Sequence, residues 1–435
     1  MRFEKSDEDL VCVSAVRTPF GRFGGSLKDI DIYDLGALIM KEVMDRVNID
    51  PSLIGEVWWG VGDTTNTKDP YTPVVARQSL IKAGIPPETP SVSFDQACIS
   101  AMTAAMFGTR SIKSENANVV LTGGATSFST VPFLLRGIRW EGKRHSSFLV
   151  EDPIVPLGYK DYAPVAVDSG NVALDYHVSR EEQDDWAYGS HIKYGKAFQR
   201  GFFQKELIHF EIEKKDKKGQ SLSKMVLEKD EQYRSDIKRE DLAKLKTVFG
   251  SPTCTAGNAP GMNDGAAAQI FMKRHMANKL HLAPLYTIVS MSSIALQPRI
   301  MPVSPAFAIK KCLNEVDLKI EDMKVLEINE AFACVPLVSA KLLSNERFIH
   351  ADYQNMAKEV SVSPILDHNL EHYAKLKEKL NEKGGAIAVG HPNTASGARL
   401  MMTAAYNLQE KGGGFAACAI CGGLTQGAAS IIWVD

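Results

Sequence analysis

Hydrophobic residues come along this chain in short unbroken runs separated by stretches with helical spacing. Leu10 to Ser14 (LVCVS) reads as a buried strand, Asp34 to Val47 as an amphipathic helix, and Ile54 to Val61 (IGEVWWGV) as the next strand. This alternation predicts an α/β architecture. Residues 129–253 break the rhythm with a loop-like stretch from Phe133 to Tyr162, a helical pattern from Ser179 to Arg200 and a charged segment from Glu211 to Glu240. They read as an inserted lobe. From Leu282 the alternation resumes, interrupted once by a polar, helix-rich stretch from Ser344 to Lys383 that reads as a second, smaller insertion.

The pattern also repeats. Met102-Thr-Ala-Ala105 opens a small-residue helix that leads through Asn118 to Leu121 (NVVL) into Gly123-Gly124, and Met402-Thr-Ala-Ala405 leads through Phe415 to Ile420 (FAACAI) into Gly422-Gly423. The two copies keep register within one residue over about twenty positions, which predicts duplicated halves. Helices of the two copies are then expected to pack in one core, with Ala101, Ala104 and Ala105 permitting close approach, so that residues just before them converge.

Composition narrows the function. The chain has 435 residues, 44% hydrophobic and 23% charged, enough for two or three cooperating lobes. Fifty basic residues against 52 acidic ones give a formal net charge of -2, and no polybasic stretch is present, so nucleic acid is not an expected partner. No run reaches the ~18 apolar residues of a membrane span. The acidic Met1 to Leu10 resembles no targeting peptide, and a cytoplasmic location is the default expectation. Seven cysteines, an odd number, predict reduced thiols rather than a disulfide framework.

Three of the expected convergence points carry chemistry. Cys98 (in DQACISA) follows an extended SVSF segment at the start of the first repeat helix, where backbone N–H groups and the helix dipole favour a thiolate; the alternative is a buried cysteine acting as a small hydrophobe. His391 lies in GGAIAVGHPNTASGAR (384–399), which reads as a strand, a tight turn with Gly390 and Pro392, and the second repeat helix; a rigid imidazole there suits a general base for a thiol. Cys418-Ala-Ile-Cys421 is formally C-x-x-C, but no second pair exists to complete a zinc site. Cys421, followed at once by Gly422-Gly423, can approach a substrate and exchange a proton with it beside backbone N–H donors.

Glu327 to Ala333 (EINEAFA) would end a strand at the same edge, where Asn329 could orient a water or donate to a developing negative charge, while Glu327 and Glu330 read blandly as solvated ends. Thr253 to Ala268 (TCTAGNAPGMNDGAAA) must turn tightly and lacks the G-x-x-x-x-G-K-[ST] phosphate-loop pattern.

In order and spacing, CISA, TAGNAPGMNDGAAA, NEAFA, GGAIAVGHPNTASGAR and CGGLTQGAA resemble the signature segments of the thiolase family, as do VSREEQDDWA (178–187) and TGGATSFSTVP (122–132). The resemblance covers nearly the whole chain. It implies the thiolase fold, two βαβαβαββ halves in a five-layer α-β-α-β-α arrangement, with residues 1–128 plus 250–275 and 276–435 as halves and 129–249 as an inserted loop domain holding coenzyme A. It implies a homodimer or dimer of dimers, acyl-CoA and coenzyme A as substrates, and no separate cofactor or metal.

By the same resemblance, Cys98 matches the nucleophile, His391 its base, Cys421 the proton-moving thiol and Asn329 the residue that fixes a water in one oxyanion hole shared with His391. The backbone N–H groups of Cys98 and Gly423 would form a second hole, and Ala256, Ala331 and Phe332 fall where the coenzyme A tunnel is lined. The implied activity is thiolytic cleavage of a 3-oxoacyl-CoA or the reverse condensation.

Several positions depart from the family pattern. Ile99 and Ala101 add bulk after the nucleophile, Pro260 replaces a common Ser, and Pro164-Val165 stand where short-chain acetoacetyl enzymes have His-Met. Asn393-Thr394 replace an apolar residue and Gly, and Leu424-Thr425 stand where glycines are usual. These departures predict an acyl group bulkier than acetoacetyl, with an acetoacetyl-CoA thiolase and a catalytically silent thiolase-like scaffold as alternatives. A ketoacyl synthase would carry a second His in place of Cys421.

Overall fold

The structure is a computed structural model that describes residues 4–62, 73–140, 145, 147–154, 158–215 and 221–435. The first apolar run forms β1 (Leu10–Arg17), all eight residues buried because both faces of the strand are covered. α1 (Ile32–Asp45) begins at Asp31, whose side chain accepts from the Tyr33 N–H, and turns Leu35, Ile39, Met40 and Val43 inward. It leads to β2 (Glu56–Val61), α2 (Val75–Lys82) and β3 (Ser91–Phe94), followed by α3 (Ser100–Lys113) and β4 (Val119–Thr126). After an intervening segment come β5 (Asn263–Lys273), β6 (Tyr286–Ala295), β7 (Met323–Ile328), β8 (Gly414–Gly422) and β9 (Gln426–Val434).

These strands form one sheet in the order β7-β8-β9-β6-β1-β5-β4-β2-β3. Its two halves mirror one another: β1 and β6 each start an antiparallel set that becomes parallel at β2 and β7, and they join through Val11 opposite Thr287 and Cys12 opposite Tyr286. α3 and α8 (Ser396–Glu410) touch each other in the middle. α1 and α2 cover the outer face of one half; α6 (Ser304–Glu315) and α7 (Cys334–Leu343) cover the other. The result is the expected five layers.

The middle layer corrects the predicted repeat register. Met102 is the third residue of its helix and Met402 the seventh of its own, so the tetrapeptides are offset by about one helical turn. What the halves share is the order of elements: a 3₁₀ turn (Ala97–Ile99, Asn393–Ala395), a helix and a buried strand. Small residues recur every turn on both helices, and a sequence match can settle on the wrong one. The close approach itself is present, since a carbon added at Gly397 would lie 2.6 Å from the Met102 nitrogen.

A second correction concerns Gly384 to Val389. The expected strand is a helical turn, Ala386–Val389, with the Gly390 N–H donating to the Ala386 carbonyl at 2.8 Å. Its first N–H groups find buried acceptors, Gly385 on Ser190 Oγ (2.9 Å) and Ile387 on Glu330 Oε2 (3.0 Å), which satisfies a helix start rather than a strand edge.

Between β4 and β5 lie α4 (Val165–Asp175), α5 (Arg180–Gln199) and a hairpin of Glu211–Lys215 with Ser221–Val226. Ser179 caps α5 by accepting from the Glu182 N–H at 3.0 Å. This segment is fastened to β1 by an enclosed ion group: Arg17 donates to Glu206 (2.8 Å) and to both oxygens of Asp230 (2.7 and 3.0 Å), and Tyr194 donates to Asp230 at 3.0 Å. All three charged side chains are fully buried. Asp230→Ala strips Arg17 of most of its partners and is expected to lower stability by about 3–5 kcal/mol, read as a shifted urea midpoint with unchanged slope.

The stretch predicted as a second insertion is helical at Glu346–His350, Tyr353–Val360 and Leu370–Lys379. Phe348, Met356 and Ile365 bury themselves in the core beneath it, and the fold buries the Lys310 ammonium by giving it the carbonyls of Ile349 (2.7 Å) and Ala351 (2.8 Å).

Candidate functional site

Cys98 sits in the 3₁₀ turn Ala97–Ile99 that feeds directly into α3. The turn is held in shape by short-range bonds, the Ala97 N–H to Asp95 Oδ1 (2.7 Å) and the Gln96 N–H to Ser100 Oγ (2.9 Å), with Ala97 at φ +50°. Gln96 Nε2 also donates to Gln426 Oε1 at 2.7 Å, which ties the turn to the start of β9.

His391 follows Gly390, whose φ of +107° lies where a side chain is strained, and whose missing carbon would lie 3.0 Å from Asn263 Cγ. Asn263 Oδ1 accepts from the His391 N–H at 2.8 Å, so the loop is pinned to the first residue of β5. The imidazole Nε2 is 3.2 Å from Cys98 Sγ, and Nδ1 is 2.6 Å from Ser396 Oγ. The Ser396 hydroxyl can give its proton to the Pro392 carbonyl (3.3 Å) and accept from Nδ1–H, leaving the Nε2 lone pair facing the thiol.

Asn329, one residue past β7, brings Nδ2 to 3.4 Å from Nε2. Its amide is oriented by Arg399, which donates to Asn329 Oδ1 (3.3 Å) and to Glu327 Oε2 (3.4 Å). Glu327 and Glu330 are fully buried, not solvated ends. Glu330 accepts from Trp186, Ser190 and Asn381, and Glu327 faces Arg399; burial lifts the Glu327 carboxyl to about 8 against the opposing guanidinium.

Burial dominates the electrostatics of the pair. It pushes the Cys98 thiol up to about 12, with Asp95 adding to the shift, and His391 down to about 3, with the Arg399 cation adding to it. Both shifts favour a neutral thiol beside a neutral imidazole and oppose the helix dipole's pull toward a thiolate, so charge separates as the proton moves. Because the folded thiol titrates above its ordinary value, its thiolate fraction grows about tenfold per pH unit across the neutral range. The rate of iodoacetamide alkylation of Cys98 is expected to climb from pH 6 to 9 without levelling; a plateau below pH 8 contradicts the neutral pair.

Cys421 is the last residue but one of β8 and is buried, its thiol also raised by burial and by the neighbouring Cys98. Cys418, three residues earlier and on the opposite face of the strand, packs in the middle layer with its sulfur 3.7 Å from the Leu400 carbonyl. Past Gly422 the chain turns through Gly423, Leu424 (φ +52°) and Thr425 (φ +59°). Two successive side chains in the left-handed region cost roughly 1–2 kcal/mol each, which explains why glycine suits these places.

The departures from the family pattern converge. Leu424 and Val165 share a cavity of about 20 Å³ with Tyr159, Tyr162, Asp168 and Arg299, beside Gly423. Ile99 and Ala101 do not line it: both are fully buried, Ile99 beneath Gly422 next to Cys421. Of the tunnel candidates, Ala256 is exposed, Ala331 half-buried and Phe332 buried in the same core as Cys421. Their loops are joined by the Ala333 N–H donating to the Asn258 carbonyl at 2.8 Å. A larger cavity of about 740 Å³ lies between α5 and Leu370–Lys379 and contains none of the candidate residues.

Residues 10–275 match the family model described as Thiolase, N-terminal domain, and residues 282–434 match Thiolase, C-terminal domain. The chain belongs to the thiolase family. It is 35% identical to the β-ketoadipyl-CoA thiolase of Pseudomonas aeruginosa, over 98% of this chain and 99% of that one. It is 33% identical to an acetyl-CoA acetyltransferase of Cupriavidus necator, over 96% and 97%. The crystal structure of human mitochondrial 3-ketoacyl-CoA thiolase in complex with CoA superposes with a TM-score of 0.82 at 31% identity, over 99% and 98% of the two chains. As a thiolase, the chain is an acyltransferase of CoA-dependent thiolytic cleavage or its reverse. Among the described residues no helix is long and apolar enough to cross a membrane.

Of the residues singled out from sequence, the thiolase structure brings Cys98, His391, Asn329 and Cys421 into one site. Sequence reasoning missed Ser396, Asn263 and Arg399, which orient that set, and Tyr159. The first three lay inside quoted motifs and could have been marked as polar residues the turns and helix start must hold; Tyr159 sits in an aperiodic loop.

Proposed function

We propose that this thiolase cleaves a 3-oxoacyl-CoA bulkier than acetoacetyl-CoA, with Cys98 as nucleophile, His391 as its base and Cys421 as the acid that protonates the departing acetyl-CoA enolate. The observation that carries the reading is the Cys98 Sγ to His391 Nε2 contact of 3.2 Å, made to the acceptor nitrogen that Asn329 Nδ2 also approaches at 3.4 Å. Cys98 attacks the 3-oxo carbon as His391 takes its proton. The bond to the acetyl-CoA carbon breaks, Cys421 protonates that carbon, and coenzyme A then takes the acyl group from Cys98. Asn329 would fix a water beside His391 for the enolate oxygen, and the Cys98 and Gly423 N–H groups would receive the oxyanion at the acyl carbon. Ala256, Ala331 and Phe332 would line the coenzyme A path, with coenzyme A itself as substrate and no further cofactor. The domain division is 1–128 with 250–275, 129–249 and 276–435; the working form is a homodimer or dimer of dimers in the cytoplasm.

Two experiments test this. A panel of acetoacetyl-, 3-oxohexanoyl-, 3-oxooctanoyl- and 3-oxoadipyl-CoA with coenzyme A should give at least one bulkier ester a higher kcat/KM than acetoacetyl-CoA; the opposite ranking sinks the substrate class, and no cleavage at all favours a silent scaffold. The adipyl arm addresses a second reading, an acyl chain ending in a carboxylate, favoured by Arg299 at the small cavity and by the names of the β-ketoadipyl-CoA relatives. Separately, His391→Ala should slow alkylation of Cys98 near neutral pH, because the proton acceptor is gone; an unchanged rate removes His391 as the base.

A further inference from the structure

Tyr159 belongs to none of the motifs, yet its phenol lies at the reaction centre. A carbon added at Gly423 would stand 2.0 Å from the Tyr159 hydroxyl oxygen, so the hydroxyl rests against the backbone that follows Cys421. The phenol is within electrostatic reach of Cys98, Asp95 and Cys421, and burial with these neighbours raises it above its ordinary value. It therefore stays protonated over the whole working range of pH and is a standing donor.

Among the described residues that hydroxyl makes no hydrogen bond, whereas the other polar side chains around Cys98 are spoken for: Gln96 with Gln426 and Thr103, Ser100 with the Ala97 carbonyl, Ser396 with His391. The loop holds it there by a bond from the Tyr162 N–H to the Tyr159 carbonyl (3.1 Å), and Tyr162 lines the same small cavity. The side chain is 38% exposed, so its ring borders solvent while its hydroxyl, set against Gly423, has no partner to give up when a substrate oxygen arrives.

We propose that Tyr159 is a substrate-contacting residue whose hydroxyl donates to the oxygen of the acyl group carried on Cys98, adding a side-chain donor to the backbone N–H groups of Cys98 and Gly423. The bond forms where negative charge develops as Cys98 attacks and again as coenzyme A attacks the acyl-enzyme, so it favours both tetrahedral states over the ground state. This role rests on the proposed acyl-Cys98 mechanism. It makes Tyr159 the member of the loop between β4 and β5 that joins the chemistry.

Tyr159→Phe keeps the ring and removes only the donor. The expected result is a kcat lower by about 10- to 10³-fold on the best ester of the panel, with the KM for coenzyme A and the alkylation rate of Cys98 by iodoacetamide each within twofold of wild type. Alkylation passes through no oxyanion, so it reports that the site is intact without sharing the loss. Tyr159→Ala should fall at least as far. Wild-type kcat in Tyr159→Phe overturns the proposal, and so does a loss confined to Tyr159→Ala, which would make the ring a mere wall. A parallel fall in the alkylation rate also overturns it, since the phenol would then hold the thiol rather than the substrate. If wild-type protein itself forms no acyl-enzyme by intact mass, the underlying mechanism fails first and this role with it; active wild type with unaffected Tyr159→Phe rejects the role alone.

Discussion

Cys98→Ala is expected to abolish both turnover and the acyl-enzyme. A covalent nucleophile has no substitute in its own step, and removing one typically lowers kcat on the order of 10⁶-fold. Six of the seven cysteines are buried; Cys98 is the one with intermediate exposure, and it is the thiol that faces Nε2 of His391. The substitution removes a single sulfur from a turn shaped by Asp95, Gln96 and Ser100, so the fold should survive. Intact-mass measurement after mixing with a 3-oxoacyl-CoA in the absence of coenzyme A should show an acyl adduct on wild type and none on Cys98→Ala. An adduct that persists on the variant would move the nucleophile to another thiol.

Much of this arrangement was legible in the sequence where burial and spacing agree. β1, α1 and β2 arise within a few residues of the predicted runs because each has one unambiguous period. α5 was bounded by its own chemistry, a Ser cap answered by an acidic first turn. Other features turn on partners far along the chain. Four apolar residues at 386–389 fit a buried strand or a helical turn equally well, and Glu330 and Ser190, contributed by other segments, decide for the turn. The protonation of the Cys98 and His391 pair depends on how completely the middle layers exclude water, which no local motif expresses. The same holds for Glu327 and Glu330: next to a strand end they look solvated, and only the arrival of Arg399, Trp186 and Asn381 makes burial tolerable. The departures at Val165 and Leu424 were visible singly, but their meeting with Arg299 in one cavity required the fold.

The two thiols of β8 should separate cleanly. Cys421 and Cys418 lie on opposite faces of one strand, Cys421 toward Cys98 and Cys418 toward Leu400 in the middle layer. Cys421 is assigned to move a proton without becoming acylated in the normal cycle. Its thiol, held protonated by burial beside Cys98, is an acid ready to protonate a carbanion and a poor nucleophile at neutral pH. Cys421→Ala should therefore lose about 10²- to 10⁴-fold in carbon–carbon cleavage, while Cys98 can still be labelled slowly by a reactive acyl-CoA. Cys418→Ala removes a buried sulfur that only packs, so activity should stay near wild type and stability should fall by about 1 kcal/mol. Steady-state rates and intact masses of the two variants, measured side by side, decide the matter. A dead Cys418→Ala beside a near-normal Cys421→Ala would transfer the proton-moving role three residues back along the strand, to a sulfur on the face away from the nucleophile.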